Sequence, residues 1–330
     1  MKETYIALYR KYRPATFEDV AGQEAIVTLL TNAIKNNKIS HAYLFSGGRG
    51  TGKTTVARIF AREIGCNPED IIEIDAASNR GIDEIRELRD AVRTAPFNSL
   101  YKVYIIDEAH MLTKEAANAL LKTLEEPPSH VIFILATTDP EKLPPTILSR
   151  CQRVNFSSPD HDTLAKRLLH VAKEEGVKLD EESARLIARH GRGSYRDALG
   201  ILETATTSLL GTITTKDIEN LLGQPTNESI ISLLSAVCVK DGKKMVTVLE
   251  NLQQNDALTT YDELIEVTRH ALLGRFGEGE GEVEKLGKEY PLVINSKLLL
   301  TLLEKKPLLK ISEQDAWIAF EAIVLSLVNE

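Results

Sequence analysis

At 330 residues the chain exceeds one ordinary hydrophobic core, so its length predicts two or three domains. A hydrophobic fraction of 43% and a charged fraction of 27% are typical of a soluble globular protein. The most apolar runs hold only a few residues, which excludes a membrane-spanning segment.

Charge is distributed unevenly along the chain. The formal net charge is −8, which argues against a protein that coats nucleic acid without specificity. Residues 1–62 nevertheless hold ten Lys or Arg against four Asp or Glu. Either this basic segment meets phosphate locally or it is a solvated surface with a chance asymmetry, and charge alone favours neither interpretation.

The amino terminus and the cysteines predict the compartment. Residues 1–12 contain four charged side chains and no apolar segment typical of a signal peptide. Cys66, Cys151 and Cys238 are widely spaced, which is not the pattern of a disulfide framework. We therefore expect a cytoplasmic protein that has no membrane contact.

Apolar, β-branched runs alternate with helical patterns in the first half of the chain. Nearly continuous apolar character predicts four strands, at residues 42–46, 71–74, 102–107 and 131–136. Helical spacing of apolar positions predicts three helices between them, at residues 53–64, 83–93 and 113–125. This alternation predicts a doubly wound, mostly parallel α/β sheet with helices on both faces.

Strand signals fade after residue 158. Amphipathic patterns then predict a group of short helices at residues 162–175, 180–190, 194–208 and 215–222. A second helical tract begins at residue 227 and continues to the end, with a loop across the glycine-rich residues 274–281. The predicted domains are therefore residues 1–158, 159–222 and 223–330.

The strongest motif lies between the first predicted strand and its helix. Residues 47–54 read Gly-Gly-Arg-Gly-Thr-Gly-Lys-Thr, the P-loop pattern, in the strand-turn-helix context that it requires. Lys53 is expected to reach the β- and γ-phosphates of a nucleotide and Thr54 to bind Mg²⁺. The alternative is a glycine-rich turn that matches by chance. The predicted nucleotide-binding residues of this segment are Gly47, Gly48, Arg49, Gly50, Thr51, Gly52, Lys53, Thr54 and Thr55.

A pair of carboxylates ends the third predicted strand. Asp107 is expected to hold Mg²⁺, directly or through water, and Glu108 to polarise the attacking water as a general base. The alternative is an ordinary strand that ends in an acidic turn, which is common when such a strand stands alone. Because this strand follows a P-loop, the catalytic interpretation is favoured. The Asp-Glu pair favours ATP hydrolysis, and the chain has no Asn-Lys-x-Asp guanine-reading sequence.

Three further polar residues stand at element ends. Thr138 follows the fourth predicted strand, which places a hydroxyl group beside the expected γ-phosphate region. Arg150 follows an apolar turn, and Arg196 lies at the start of a predicted helix. By residue type alone, both arginines read as ordinary surface side chains.

Taken together, these residues resemble the AAA+ ATPases and, among them, the bacterial gamma/tau family of sliding-clamp loader subunits. Glu-Glu-Pro-Pro at 125–128 and Ser-Arg-Cys at 149–151 are typical of clamp loaders rather than of AAA+ proteins in general. The resemblance is close over residues 5–222 and weaker over 223–330. The matching stretches are residues 9–14, 16–23, 46–55, 107–112, 119–128 and 136–151.

The resemblance implies a fold and several residue roles. It implies a P-loop AAA+ domain, a small helical lid domain and an all-α collar domain. Arg150 is expected to be an arginine finger that acts on the ATP site of a neighbouring subunit. Thr138 and Arg196 are expected to be the first and second sensors of the γ-phosphate. The residues expected to pack on adenine are Arg13, Pro14 and Val20.

The resemblance also implies partners. The expected assembly is a five-subunit ring of copies of this chain with other loader subunits of delta and delta-prime type, acting on a sliding clamp and primer-template DNA. Asn79, Arg80 and Arg86 are the candidates for DNA phosphate contact. As bare residues, these arginines equally indicate an exposed helix face.

Two features depart from the family pattern. Gamma/tau subunits usually carry a four-cysteine zinc module after the P-loop helix, whereas here only Cys66 stands in that region. One thiolate does not hold structural zinc, so no zinc is expected. The sequence also ends where the collar is expected to end, which resembles gamma rather than the longer tau form.

Two alternatives remain at this stage. One is another AAA+ DNA-processing motor, such as a branch-migration ATPase, although Ser149-Arg150-Cys151 argues against it. The other is a non-hydrolysing delta-prime-like scaffold, against which the intact Lys53 and Glu108 argue.

Overall fold

The computed structural model describes residues 5–78, 88, 91–208, 211–223, 225–277, 281–310 and 313–327. The chain divides into two compact units, Met1–Thr214 and Thr215–Glu330. The predicted domain boundaries after residues 158 and 222 stay predictions.

A five-stranded sheet forms the centre of the first unit. Every strand pair is parallel, and the strands lie in the order β2-β3-β4-β1-β5. The strands are β1 (Ala42–Gly47), β2 (Ile71–Asp75), β3 (Lys102–Asp107), β4 (Val131–Thr137) and β5 (Gln152–Phe156). Because Ser46 pairs with Thr137, and Asp75 with Asp107, the carboxyl ends of these strands meet at one edge. The predicted parallel α/β sheet is confirmed.

Both faces of the sheet are buried, which explains the continuous apolar runs. Tyr43 and Phe45 of β1 pack into one core cluster, whereas Leu44 packs into a second cluster across the sheet. Helices α2 and α3 contribute to the first cluster and α4 to the second. The helices of the sheet region are α1 (Leu8–Lys11), α2 (Glu24–Lys35), α3 (Lys53–Glu63), α4 (Lys114–Glu125) and α5 (Pro145–Leu148).

Local sequence signals set the ends of the two central helices. Helix α3 starts after Gly52, whose φ of 103° lies in the left-handed region. Thr113 caps α4, because its hydroxyl oxygen accepts a hydrogen bond from the N–H of Ala116 at 3.2 Å. Two prolines follow one residue after the end of α4 and prevent its continuation.

The remaining helices of the first unit form a group after the sheet. They are α6 (His161–Glu174), α7 (Glu181–His190) and α8 (Tyr195–Ser208), and a short parallel pair of strands, β6 (Lys178–Leu179) and β7 (Thr212–Ile213), accompanies them. Asp160 and Asp180 cap α6 and α7 through their carboxylates. These three helices confirm three of the four short helices predicted after residue 158, and the fourth, at 215–222, is confirmed by the helix Thr215–Leu221 of the second unit.

All regular secondary structure in the described part of the second unit is helical. A buried core includes Tyr261 and Phe320, whose rings meet edge to face at 5.2 Å. The predicted loop at 274–281 is consistent with the described residues, since one helix ends at Gly274 and the next begins at Glu282. The helices are α9 (Thr215–Leu221), α10 (Asn227–Cys238), α11 (Gly242–Leu252), α12 (Ala257–Gly274), α13 (Glu282–Glu289), α14 (Ser296–Lys305) and α15 (Glu313–Ser326).

The structure adds elements that the sequence patterns do not predict. Strand β5 has only two buried residues, Val154 and Phe156, so its run lacks continuous apolar character. Helix α2 was also not predicted. Most of the predicted helix 83–93 lies outside the described residues. Among the helices that the structure describes, none is long and apolar enough to cross a bilayer.

Candidate functional site

A cleft of about 510 Å³ opens at the carboxyl edge of the sheet, within the first unit. One wall comes from the amino-terminal segment that includes Arg13, Pro14 and Val20. The floor is the loop and first helical turn from Arg49 to Val56, together with the ends of β2 and β3. Residues of α6 and α8 complete the lining: Arg167, Tyr195, Arg196 and Leu199. The cleft therefore collects most of the residues predicted to bind nucleotide.

Glycine is required in the P-loop because other chain segments approach its backbone closely. A Cβ atom on Gly50 would lie 2.0 Å from the hydroxyl oxygen of Ser194, and φ at Gly50 is +71°. The carbonyl of Gly50 accepts a hydrogen bond from the N–H of Tyr195 at 3.1 Å. A Cβ on Gly47 would lie 2.4 Å from the carbonyl oxygen of Phe156. The loop is therefore held between β5 and α8.

Lys53 has its ammonium group inside the loop. The side chain is 6% exposed, and Nζ donates hydrogen bonds to the carbonyl oxygens of Gly47 at 2.8 Å and Gly48 at 2.7 Å. Burial lowers the pKa of Lys53, while the carboxylates of Glu108 and Asp107 act in the opposite direction. An ammonium has three donors, so these two bonds leave a third N–H for an anion. Together with the helix amino terminus, this donor set fits a phosphate.

Thr54 and Asp107 face each other across the floor of the cleft. The hydroxyl of Thr54 donates to Oδ2 of Asp107 at 2.8 Å, and Oδ1 of Asp107 accepts the N–H of Glu108 at 3.0 Å. A hydroxyl and a carboxylate oxygen are hard ligands, the type that Mg²⁺ prefers. Their contact within the cleft shows that one small cation could bind both groups, so the residues fit magnesium.

Glu108 adopts a backbone conformation that is uncommon for a side-chain-bearing residue, with φ at +47°. Its Oε2 accepts a long hydrogen bond from the Thr138 hydroxyl at 3.3 Å and lies 3.5 Å from Nδ1 of His110. The carboxylate thus turns toward the end of β4, next to Asp107. Thr138 does not line the cleft itself but contacts the predicted base.

Positive charge is concentrated in the cleft. Burial lowers the pKa of Arg13, and the nearby charges of Arg58, Arg196 and Arg10 lower it further, against the opposing effect of Glu73. The guanidinium carbon of Arg196 lies 5.7 Å from the ring centroid of Tyr9. This concentration of cations suits a polyanionic ligand.

The predicted finger, Arg150, does not line the cleft. Its Nη2 pairs with Oε1 of Glu125 at 2.6 Å, and its Nη1 donates to the carbonyl of Thr146 at 2.8 Å. The pair is on the surface, since the two side chains keep 33% and 48% of their exposure. Arg150 therefore lies outside the cleft of its own chain, and its role as a finger stays a prediction.

Other predicted residues fall elsewhere. Asn79, Arg80 and Arg86 lie outside the described residues. Cys66 packs in the hydrophobic core beside α3, and its thiol donates to the carbonyl of Tyr101 at 3.1 Å. Burial raises the pKa of this thiol to about 11. Within the described residues, no group of three or more His, Cys, Asp or Glu side chains is arranged to hold a metal.

Sequence reasoning missed several residues of the cleft. Arg58 and Glu73 form a two-point ion pair, with N···O distances of 2.7 and 2.6 Å. Arg167 donates to the carbonyl of Tyr12 at 2.5 Å, and the hydroxyl of Tyr195 donates to the carbonyl of Ala21 at 2.9 Å. Arg58 was recoverable, because it follows Thr54 by one helical turn. The other contacts join distant segments and have no local signal.

Comparison with known proteins shows which families the chain resembles. Residues 22–80 and 68–160 match the family described as DNA polymerase III, delta subunit. Residues 163–208 match the family described as DNA polymerase III clamp loader subunit, ATPase lid domain. The solved structure of the RuvB Holliday junction branch migration motor of Thermotoga maritima has a TM-score of 0.55 at 20% identity, covering 77% of this chain and 90% of that one. At this identity the likeness shows the fold alone.

Curated relatives give the closer similarity. The DNA polymerase III tau subunit of Bacillus subtilis is 43% identical, over 86% of this chain and 54% of its own length. The tau subunit of Escherichia coli is 41% identical, over 74% of this chain and 42% of its own length. A gamma subunit of Buchnera aphidicola is 40% identical, over 75% of this chain and 74% of its own length. The chain thus spans about half the length of these two tau relatives.

The parallel sheet, the P-loop and the matched ATPase lid domain together identify a P-loop protein of the AAA+ class. Among AAA+ proteins, the chain belongs to the family of DNA polymerase III gamma and tau subunits. The resemblance inferred from the sequence motifs is confirmed.

Proposed function

We propose that this protein is the ATP-hydrolysing subunit of a bacterial sliding-clamp loader, which opens the clamp and places it on primed DNA. One observation carries the proposal: Lys53, Thr54, Asp107 and Glu108 meet at one edge of the sheet, in a cleft of about 510 Å³. Membership of the gamma/tau family supports the choice of clamp loading over other uses of such a cleft.

Phosphate binding is assigned to the P-loop and Lys53. Lys53 Nζ contacts the carbonyls of Gly47 and Gly48 and retains a third donor for the β- and γ-phosphates. The N–H groups of the first turn of α3 are not used within the helix and add further donors. Because burial lowers the pKa of Lys53, a bound polyanion also stabilises its charged form.

Thr54 and Asp107 are assigned to magnesium, Thr54 through its hydroxyl and Asp107 directly or through water. The ion, when bound, neutralises charge on the phosphate oxygens. The Thr54 hydroxyl donates a hydrogen bond to Oδ2 of Asp107 at 2.8 Å, and this bond keeps both oxygen atoms in the cleft. Asp107 in turn orients Glu108, since it accepts the Glu108 N–H.

Glu108 is assigned to activation of the attacking water. A carboxylate beside Asp107 is able to accept a proton from water as a general base. Its contacts with Thr138 and His110 are 3.3 and 3.5 Å, long enough for the carboxylate to move when a ligand binds. We assign Thr138 to sensing the γ-phosphate, in line with its position beside Glu108.

The amino-terminal wall is assigned to adenine. Arg13, Pro14 and Val20 line the cleft. Arg196 also lines it, with its guanidinium carbon 5.7 Å from the ring centroid of Tyr9, and is assigned to the γ-phosphate as the second sensor. Because Tyr195 contacts both Ala21 and Gly50, α8 joins the adenine wall to the P-loop.

Arg150 is assigned to the ATP site of a neighbouring subunit. The side chain is half-buried at the surface of its own unit, and a trans arginine contributes several kcal/mol of transition-state stabilisation. The neighbours are copies of this chain and loader subunits of delta and delta-prime type, in the cytoplasm. The clamp and primer-template DNA are the other partners, and Asn79, Arg80 and Arg86 remain the candidates for DNA contact.

The test is a reconstituted loader that contains this protein. Clamp together with primed DNA is expected to stimulate ATP hydrolysis and to leave clamp on the DNA. Lys53→Ala is expected to abolish both by removing the phosphate contact. Mixing Lys53→Ala with Arg150→Ala protein is expected to restore part of the activity at interfaces where an intact site meets an intact arginine.

Two results would contradict the proposal. Equal stimulation by branched or single-stranded DNA without clamp would favour another AAA+ motor. Clamp loading that survives Lys53→Ala would favour a non-hydrolysing, delta-prime-like scaffold. A loader in which every copy of this chain carries Arg150→Ala tests the finger separately. If that loader were fully active, the finger assignment would be wrong and the rest of the proposal would stand.

A further inference from the structure

We propose that His110 is a positioning residue that links the end of β4 to Glu108 and so sets the orientation of the base. The inference rests on the proposed function, in which Glu108 activates water. Neither the sequence motifs nor the assignments above give His110 a role.

The geometry places His110 between two elements of the site. It lies in the turn Ala109–Met111, which directly follows β3 and Glu108. Its ring Nδ1 is 2.9 Å from the hydroxyl oxygen of Thr137 and 3.5 Å from Oε2 of Glu108. The His110 side chain is 11% exposed, and Thr137 is fully buried as the last residue of β4. The three groups therefore form a connected set, in which His110 and Thr137 are largely buried and Glu108 is half-buried.

The hydrogen-bond inventory favours a proton on Nδ1. The Thr137 hydroxyl oxygen already accepts the N–H of Asp139 at 3.0 Å, and it has a second lone pair. If Nδ1 carried a lone pair instead of a proton, that lone pair would face the Glu108 carboxylate. The carboxylate thus stabilises the tautomer in which Nδ1–H donates to Thr137 and presents its positive edge to Glu108.

This arrangement couples two neighbouring threonines to one carboxylate. Thr138 donates directly to Oε2 of Glu108 at 3.3 Å, whereas Thr137 acts on the same oxygen through the His110 ring. Both threonines are at the end of β4, so a shift of this strand end changes both contacts together. The two contacts to Oε2 of Glu108 are long, at 3.3 Å from Thr138 and 3.5 Å from His110, so they orient Glu108 without fixing it. Truncating the His110 side chain alone removes the connection between Thr137 and Glu108.

The experiment compares variants in the reconstituted loader with clamp and primed DNA. His110→Leu is expected to lower kcat by roughly tenfold or more, because small misplacement of a catalytic group has large rate effects. The KM for ATP is expected to stay within about twofold, since the phosphate contacts are separate. His110→Asn is expected to retain most of kcat, because its amide nitrogen is able to donate from the position of Nδ1.

The matched control is His130→Leu, because His130 does not line the cleft and its ring Nε2 lies 3.3 Å from the carbonyl oxygen of Val92. It is expected to leave kcat unchanged. Thr137→Val removes the other end of the linkage, so adding His110→Leu to it is expected to cause no further loss of kcat. Thermal unfolding of each variant identifies any that fails to fold, in which case His110→Asn and Thr137→Val decide.

Several results would overturn the proposal. One is a wild-type kcat in His110→Leu. Another is an equal loss of kcat in His110→Leu and His110→Asn. The third is a double variant of His110→Leu and Thr137→Val in which the two losses of kcat multiply. Failure of the proposed function has a different signature: Glu108→Gln would then hydrolyse ATP at the normal rate, whatever His110 does.

Discussion

The two units differ in what their buried polar side chains do. In the described part of the first unit, most buried polar residues surround the cleft or its supports, among them Ser46, Thr51, Lys53, Thr137 and Ser194. In the described part of the second unit, the buried polar residues are Thr260 and Thr268. Each of these donates its hydroxyl to the carbonyl oxygen four residues earlier, Thr260 to the N-cap residue Asp256 and Thr268 to Leu264 within α12.

Most buried polar groups of the first unit thus surround the candidate ligand cleft, whereas those of the second unit form hydrogen bonds within their own helix and contribute to packing. A hydroxyl that bonds back to its own helix is satisfied locally and leaves no donor for anything else. Lys53 and Thr137 instead bond to other segments, so their positions depend on the whole sheet edge. Mutations of cleft residues in the first unit should therefore lower activity, whereas mutations of buried polar groups in the second unit should lower stability and leave ATP binding unchanged.

The largest expected effect tests that separation directly. Glu108→Gln removes the proposed base and keeps a similar shape, so hydrolysis by the reconstituted loader should fall by roughly 10²- to 10⁴-fold. ATP binding, measured with a fluorescent analogue, should persist because Lys53 and the P-loop are unchanged. Loss of binding together with hydrolysis would mean that Glu108 organises the cleft rather than the chemistry.

Close backbone approach in the first unit predicts a large stability effect. Gly47→Ala places a Cβ 2.4 Å from the Phe156 carbonyl and should destabilise by about 2 kcal/mol or more, measured by urea unfolding. Gly200→Ala is the matched control, because Gly200 lies inside α8 with no atom within 4 Å of the added methyl. This change should stabilise by up to about 1 kcal/mol. Equal effects at the two positions would contradict the close packing of β1 on β5.

A single buried hydroxyl tests the second unit. Tyr261 donates its hydroxyl to the carbonyl of Leu302 at 2.9 Å, and its ring contacts Phe320. Tyr261→Phe keeps the ring and should lower the free energy of unfolding by about 1 kcal/mol. ATP affinity should not change, and a clear change in affinity would break the comparison between the units.

The smallest expected effect concerns the surface ion pair of Arg150. Glu125→Gln should change the free energy of unfolding by less than about 1 kcal/mol, because exposed pairs contribute little. Glu126→Gln, one residue away with the same loss of charge, is the matched control. Raising the salt concentration should reduce the difference between these two variants. A difference of several kcal/mol would show that the pair is structurally important.

Much of the fold was predictable from sequence because its signals are local. The predicted strand at 102–107 matches β3 at both ends, and the other three differ from the observed strands by one residue. Continuous apolar character marks a strand buried on both faces, and β5 was missed because only alternate residues are buried. Caps and prolines similarly fixed the helix ends around α4.

The site was predictable only where function resides in a contiguous motif. The P-loop and the Asp107–Glu108 pair are such motifs, and the structure brings them together in the cleft. The contacts of Arg167 and Tyr195 join residues more than 150 positions apart, which no local pattern records. His110 was visible in the sequence, but its neighbour Thr137 became apparent only from the pairing of β3 with β4.

The burial of the native thiols has a practical consequence. Burial raises the pKa of Cys66 and Cys151 to about 11 and that of Cys238 to about 12. Maleimides and related reagents attack the thiolate, so at neutral pH these three side chains should label slowly. A cysteine introduced at an exposed position, such as Glu126, should accept a fluorophore selectively without replacement of the native residues. Conformational changes of the protein during the proposed ATP turnover then become accessible to fluorescence measurements on an otherwise natural sequence.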